Sequence, residues 1–293
     1  MTLLQQLIDA VALGALYGLV AVGIGLVFGI MRLVNFAYGE IITAGGYTLA
    51  YLNGSSPVVA ILACVAACIG LALVQERVFR PLRGASPATM LVATFAVSFL
   101  LQNVYLLAFG SRGKPVSTLG GLNTAISLGT LRIRWISIVA LAVAAALLAG
   151  TTLLLNRTAI GLHMRAAAAD FRTARILGVR ANRVIASSFV LAGFLAAAVS
   201  VLLTVQNPLV TPDYGVSVTI FALVGVVVGG LDRLASASLG GFAIGFAYSL
   251  VGARLPTDKS QYLPSLLYGT VILVLLLRPA GLFAPGKSAV ERV

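Results

Sequence analysis

Residues 10–31 read AVALGALYGLVAVGIGLVFGIM, an apolar run without a single charge. At 1.5 Å per residue, a helix of that length spans roughly 33 Å, enough to cross the ~30 Å hydrocarbon layer of a bilayer. Further charge-free runs follow at 41–75, 84–111, 135–156, 184–212, 214–231, 234–253 and 260–277. The 41–75 run contains Asn53-Gly54-Ser55-Ser56-Pro57, a cluster able to close one helix and open another. The runs therefore predict an all-α, polytopic transmembrane bundle with eight or nine crossings, forming a single domain over 1–293. They lack period-2 polar alternation, and most exceed the ~10 residues of an outer-membrane barrel strand, so helices are the better reading over a β-barrel.

Composition agrees: 60% of the residues are hydrophobic and 10% charged, against about 25% charged in a soluble domain. The formal net charge of +12 does not imply nucleic acid, because the basic residues sit in short segments between apolar runs and form no single basic face. They report orientation instead. If Arg32 lies inside and each run reverses the side, Arg112, Lys114, Arg132, Arg134, Arg254 and Lys259 fall outside, which leaves 14 of the 20 inside. The N-terminus is then expected outside and the C-terminus in the cytoplasm, with the four basic residues of 112–134 running against the pattern. Residues 1–8 carry no Lys or Arg, so the first run is expected to stay as a span and not be removed as a signal peptide.

Two connections are long. The first, 111–134, carries Gly113, Lys114-Pro115, Gly120-Gly121 and an alternating stretch over 128–133, which suits a small hairpin or an irregular cap on the outer face. The second, 156–183, holds GLHMRAAAADFRTARILG at 161–178, rich in helix formers and ending at a glycine suited to a left-handed C-cap. It predicts a short amphipathic helix outside the bilayer. Leu162, Ala166, Ala169, Thr173, Ile176 and Leu177 share its apolar face, with Arg165, Asp170, Arg172 and Arg175 over the rest. Within the runs, Gly14, Gly18, Gly25 and Gly29, Gly225 and Gly229, and Gly241, Gly245 and Gly252 are spaced by four or seven residues. That spacing lets helix backbones approach closely; pore lining is the other reading.

Reactive chemistry is sparse. His163 is the single histidine, and no His-Glu-x-x-His pattern, Gly-x-Ser-x-Gly elbow or Cys/His cluster occurs, so a membrane-embedded enzyme has little to build on and no metal or cofactor is expected. Cys64 and Cys68, one turn apart in an apolar run, read as small hydrophobes. GLFAPGKS at 281–288 matches a phosphate-binding loop by letter, but an apolar run precedes it where a strand is needed, and few residues follow. ATP hydrolysis by this chain is therefore not expected. Carboxylates are nearly absent from the runs, against a proton- or sodium-driven carrier. The exception is Glu40, at the end of a polar-aromatic break between two runs. That break reads as a cytoplasmic turn or, alternatively, as a helix interruption on the translocation path, where Asn35, Phe36, Tyr38, Gly39 and Glu40 are the candidate residues.

LVNFAYGE at 33–40 resembles the Asn-Phe-Ala-His-Gly-Glu signature of bacterial branched-chain amino-acid ABC permeases, with Tyr38 in the histidine's place. Residues 161–179 resemble that family's cytoplasmic segment, Gly229-Gly230 and Gly240-Gly241 its late glycine pairs, and RPAGLF at 278–283 its end. Two departures are the Leu231-Asp232-Arg233 that follows Gly230, and Ala169 where an acidic residue is common. The resemblance covers nearly the whole chain and implies the smaller permease of an importer in the bacterial inner membrane. It implies four kinds of partner: a second homologous permease, two ATP-binding subunits, an extracytoplasmic solute-binding protein and the surrounding membrane lipid. It carries Gly161, Arg165, Ala166, Asp170, Ala174, Leu177 and Gly178 over as positions that couple to the ATPase. The alternative for that segment is a basic helix lying on anionic lipid. The resemblance implies branched-chain, leucine-like amino acids as the leading substrate, with urea, short amides or other amino acids, which members of the family also import, as the alternative.

Overall fold

In the computed structural model, which describes residues 3–32, 34–128, 131–230 and 234–278, every apolar run becomes helical. The helices are α1 (Leu3–Met31), α2 (Tyr38–Tyr51), α3 (Pro57–Phe79), α4 (Pro87–Phe109), α5 (Trp135–Arg157), α6 (Ala159–Ala169), α7 (Phe171–Ile176), α8 (Ala181–Gln206), α9 (Tyr214–Gly229), α10 (Leu234–Arg254) and α11 (Leu263–Leu277). The phosphate-loop letters at 281–288, nearly all of the RPAGLF end and the Leu231-Asp232-Arg233 departure lie outside the described residues.

Helix starts follow local chemistry. Ser56 and Ser86 each stand before a proline in the first turn and accept the backbone N–H three residues on, from Val59 at 3.4 Å and Thr89 at 3.2 Å. The cluster at 53–57 does split the 41–75 run, with Gly54 at φ 99° turning the chain between α2 and α3.

Among the described residues, seven helical segments are long and apolar enough to cross a bilayer. Two of the eight or nine expected spans are short. α2 has 14 residues and α9 has 16, about 21 and 24 Å of helix, so neither covers the hydrocarbon thickness alone, whereas α11, 15 residues by itself, is extended to a 20-residue segment by the 3-10 turn before it. The difference from the sequence count arises because a run of uncharged residues also includes the turns that shorten its helix.

α1 and α8 form the centre, with 78% and 72% of their most apolar windows buried, while α3, α4, α5 and α11, at 17–22%, form the outer surface. Glycines set the closest approaches. A Cβ at Gly225 would stand 2.7 Å from the Gly241 Cα, and one at Gly241 would stand 2.7 Å from the Tyr17 carbonyl oxygen. α9, α10 and α1 are thus pressed together backbone to backbone. Gly29, which shares this spacing, meets nothing within 4 Å.

The first long loop does form a hairpin, β2 (Ala125–Leu128) against β3 (Leu131–Arg134). A second ladder, β1 (Lys114–Pro115) with β4 (Leu209–Val210), ties the loop to the α8–α9 connection. Cys64 and Cys68 are free and buried.

Candidate functional site

α1 ends at Met31 and α2 begins at Tyr38, yet the chain between them stays off the surface from Asn35 onward. Asn35, Ala37, Tyr38, Gly39 and Glu40 are buried and Phe36 is partly so. A non-helical segment at that depth needs partners for its backbone, and side chains supply them. Asn35 Oδ1 accepts from the Ala37 N–H at 3.0 Å, and Asn35 Nδ2 donates to Gln75 Oε1 at 3.2 Å. Gln75 Nε2 in turn donates to the Ala37 carbonyl at 2.8 Å, and Thr94 Oγ1 donates to the Val34 carbonyl at 3.2 Å. The connection between α1 and α2, which the sequence left as a cytoplasmic turn or a helix interruption, is a buried break between two helices.

The first turn of α2 then meets four helices. The Tyr38 hydroxyl donates to the Ala192 carbonyl of α8 at 3.2 Å and lies against Gly23 of α1. Gly23 is eight residues from the end of α1, so the contact is roughly 12 Å in from that end. Phe36 meets Phe95 of α4 edge-on, with ring centroids 6.1 Å apart. Gly39 lies so close to α9 that a Cβ would stand 2.7 Å from the Gly215 carbonyl, and the Gly215 N–H donates to Thr43 Oγ1 at 2.9 Å. The two short helices therefore meet through glycine backbones.

Glu40 is fully buried. Its Oε1 accepts from Ser98 Oγ at 2.8 Å and Gln102 Nε2 at 3.1 Å, while its carbonyl accepts from the Tyr105 hydroxyl at 2.9 Å. Oε2 has no hydrogen-bond partner among the described residues. Ser98 is the middle residue of α4, so the carboxyl group sits at mid-depth of a membrane-length helix. A buried ionisable group there is costly unless used. Sequence reading missed its partners Ser98, Gln102 and Tyr105, and also Gln75, which holds Asn35 and Ala37. The available signal was the pair of polar residues at 98 and 102, one turn apart in an otherwise apolar run.

The family described as branched-chain amino acid transport system, permease component, matches residues 6–276. The chain belongs to this family. Among its relatives, the high-affinity branched-chain amino acid transport system permease protein BraD of Pseudomonas aeruginosa is 34% identical, with 99% of this chain and 98% of the relative covered. LivH of Escherichia coli, a permease protein of the same description, is 30% identical over 99% and 97%. The ribose import permease protein RbsC of Haemophilus influenzae is 26% identical over 64% of this chain and 58% of its own length. No solved structure matches the chain significantly.

In this permease, the segment expected to form one amphipathic helix is two, α6 and α7, broken at Asp170. The Asp170 carboxylate accepts the Thr173 N–H at 3.2 Å and the Thr173 hydroxyl, and so opens α7. Thr158 caps the start of α6, its Oγ1 accepting the Gly161 N–H at 3.1 Å. Gly161 then lies on the backbone of Leu154 and Leu155 with no room for a Cβ. The face turned inward is Gly161, Met164, Ala167 and Ala174; Leu162, Ile176 and Leu177 point outward. The expected apolar face is therefore corrected. The break shifts the phase of the helix, and the permease's own α5 selects the buried side.

The seven expected coupling positions consequently divide. Gly161 and Ala174 pack inside the permease, and Ala166 is partly buried. Gly178, at φ 88°, forms the left-handed cap, with the Val179 N–H bonded to the Ala174 carbonyl at 3.0 Å. Arg165 is exposed and donates from Nη1 to Asn156 Oδ1 at 3.1 Å, and Leu177 is 79% exposed.

Proposed function

We propose that this permease is a membrane subunit of an ATP-driven importer of branched-chain amino acids. The observation that carries the reading is the full-length match to permeases of that description, at 34% identity over 99% of the chain. The ribose permease matches a smaller part of the chain, which favours an amino-acid cargo over a sugar. Its partners are a second, homologous permease, two ATP-binding subunits that supply the energy, and an extracytoplasmic solute-binding protein that selects the cargo.

Nine helices enter the bilayer, α2 and α9 as a short pair that meet end-near-end inside it. The N-terminus lies outside and the α6–α7 segment in the cytoplasm, as the Lys and Arg distribution favours. The exposed Ile176 and Leu177 dock on an ATP-binding subunit, and the inward face of the segment passes the movement to α5 and α8. The break at 35–40 borders the translocation path. Glu40, with one carboxylate oxygen free, suits the ammonium end of an amino acid.

The test is reconstitution of the full set of subunits in proteoliposomes. Leucine uptake that requires both ATP and the binding protein is the expected result. Uptake driven by a proton or sodium gradient without ATP would overturn the reading in favour of a secondary carrier.

A further inference from the structure

α1, α5, α6 and α10 leave a cleft of about 780 Å³ between them, within the size range of ligand pockets. Its walls come from residues 22–30 of α1, 148–156 of α5 and 234–239 of α10, with Met164, Arg165 and Ala168 of α6 closing one end. It shares no residue with the Glu40 site. Three observations define its ligand.

The first is length. Along α1 the cleft runs from Val22 to Ile30, a rise of about 12 Å, close to half of the ~30 Å hydrocarbon layer. The cleft therefore covers one leaflet and does not cross. The second is composition: Leu26, Ile30, Leu148, Leu155, Leu234 and Leu239 line it, and among the described residues no Asp or Glu does. The third is the polarity of its end. Arg165 and Asn156 stand together at the α6 end, joined at 3.1 Å, with Arg165 exposed. Arg32 directly follows α1, and Arg157 is the last residue of α5. Gly29, inside the cleft, has open space where a side chain would be.

An apolar slot one leaflet deep, with a guanidinium at its membrane-surface end, matches a lipid with a negative headgroup. We propose that the cleft holds an anionic phospholipid, its acyl chains along α1, α5 and α10 and its phosphate on Arg165 and Asn156. The inference rests on the helices being membrane spans and is independent of cargo and ATP.

The complex is purified in mild detergent, supplied with phosphatidylglycerol or phosphatidylcholine, and weighed by native mass spectrometry. Phosphatidylglycerol should remain bound in preference to phosphatidylcholine. Arg165→Gln should cut its retention by about fivefold, one basic residue's share. Gly29→Phe should fill the cleft and displace the lipid with Arg165 intact; Ala235→Phe, also on the cleft wall, serves if that variant does not accumulate. Equal retention of both lipids, or phosphatidylglycerol held undiminished by the filled variants, would overturn the proposal. So would loss of the second permease from the Gly29→Phe complex with lipid binding unchanged, since the cleft would then be a subunit interface. Free glycerol phosphate binding as well as the lipid would also overturn it, because the acyl chains would contribute nothing.

Discussion

Ser98, at the middle of α4, donates its hydroxyl to Glu40 Oε1 at 2.8 Å, and Gln102 one turn later adds a second bond at 3.1 Å. These bonds join α4 to the first turn of α2, the element that follows the buried break. A hydrogen bond to a charged group is worth about 1.5–3 kcal/mol. Ser98→Ala should therefore lower the melting temperature of the detergent-purified permease, and Ser98→Thr, which keeps the hydroxyl, should stay near the parent. Equal melting of Ser98→Ala and the parent would mean that this bond does not hold the break in place.

The glycines separate in the same way. Gly225 faces the Gly241 backbone, whereas Gly29, on the same kind of spacing, faces open space. Gly225→Val should lower membrane abundance severely, because neither backbone can move away from the other. Gly29→Ala should be neutral, or stabilising by about 0.4–1 kcal/mol through the unfolded chain. Quantitative blotting and thermal melts read both; matching losses at the two sites would reject the packing account.

Ile176 and Leu177, 80% and 79% exposed at the tip of the α6–α7 segment, are the contacts assigned to the ATP-binding subunit. Ile176→Asp with Leu177→Asp should reduce co-purification of that subunit at normal permease abundance. Ala174→Trp should instead reduce the permease itself, since Ala174 faces its own interior. Gly178→Val should cost about 1–2 kcal/mol by forcing a branched residue into a left-handed conformation. Full retention of the ATP-binding subunit by the double aspartate variant would sink the docking assignment.

The purified permease alone should show no nucleotide hydrolysis, because the phosphate-loop letters at 281–288 follow a membrane-length helix where a strand would be needed. Hydrolysis by the isolated chain that disappears in Lys287→Ala would contradict this.

The helices were legible in the sequence because charge-free length is a sufficient signal for burial in lipid, and the 53–57 turn was legible from its residue types. The shortness of α2 and α9 was not, because hydropathy measures the whole uncharged stretch and not the part that is helical. Position 40 stood out by charge alone, but whether its neighbours lay in a turn or a break depended on Gln75, Thr94 and Ser98, which are 40 to 60 residues away along the chain from the groups they bond. The cap at Gly178 was readable from local composition. The buried face of α6 was not, because it is chosen by the Leu154–Leu155 backbone against Gly161 and not by the helix's own periodicity.

The central claim is that the buried break ending at Glu40 serves transport and not only folding. The most direct measurement is ATP-dependent leucine uptake into proteoliposomes by the complete complex carrying Glu40→Gln, which keeps the shape and a hydrogen-bonding group but removes the charge. The account predicts a fall of about tenfold or more, equivalent to at least about 1.4 kcal/mol, at normal subunit abundance and stoichiometry. Normal uptake by that variant would contradict the claim and reduce residues 35–40 to a structural connection between α1 and α2.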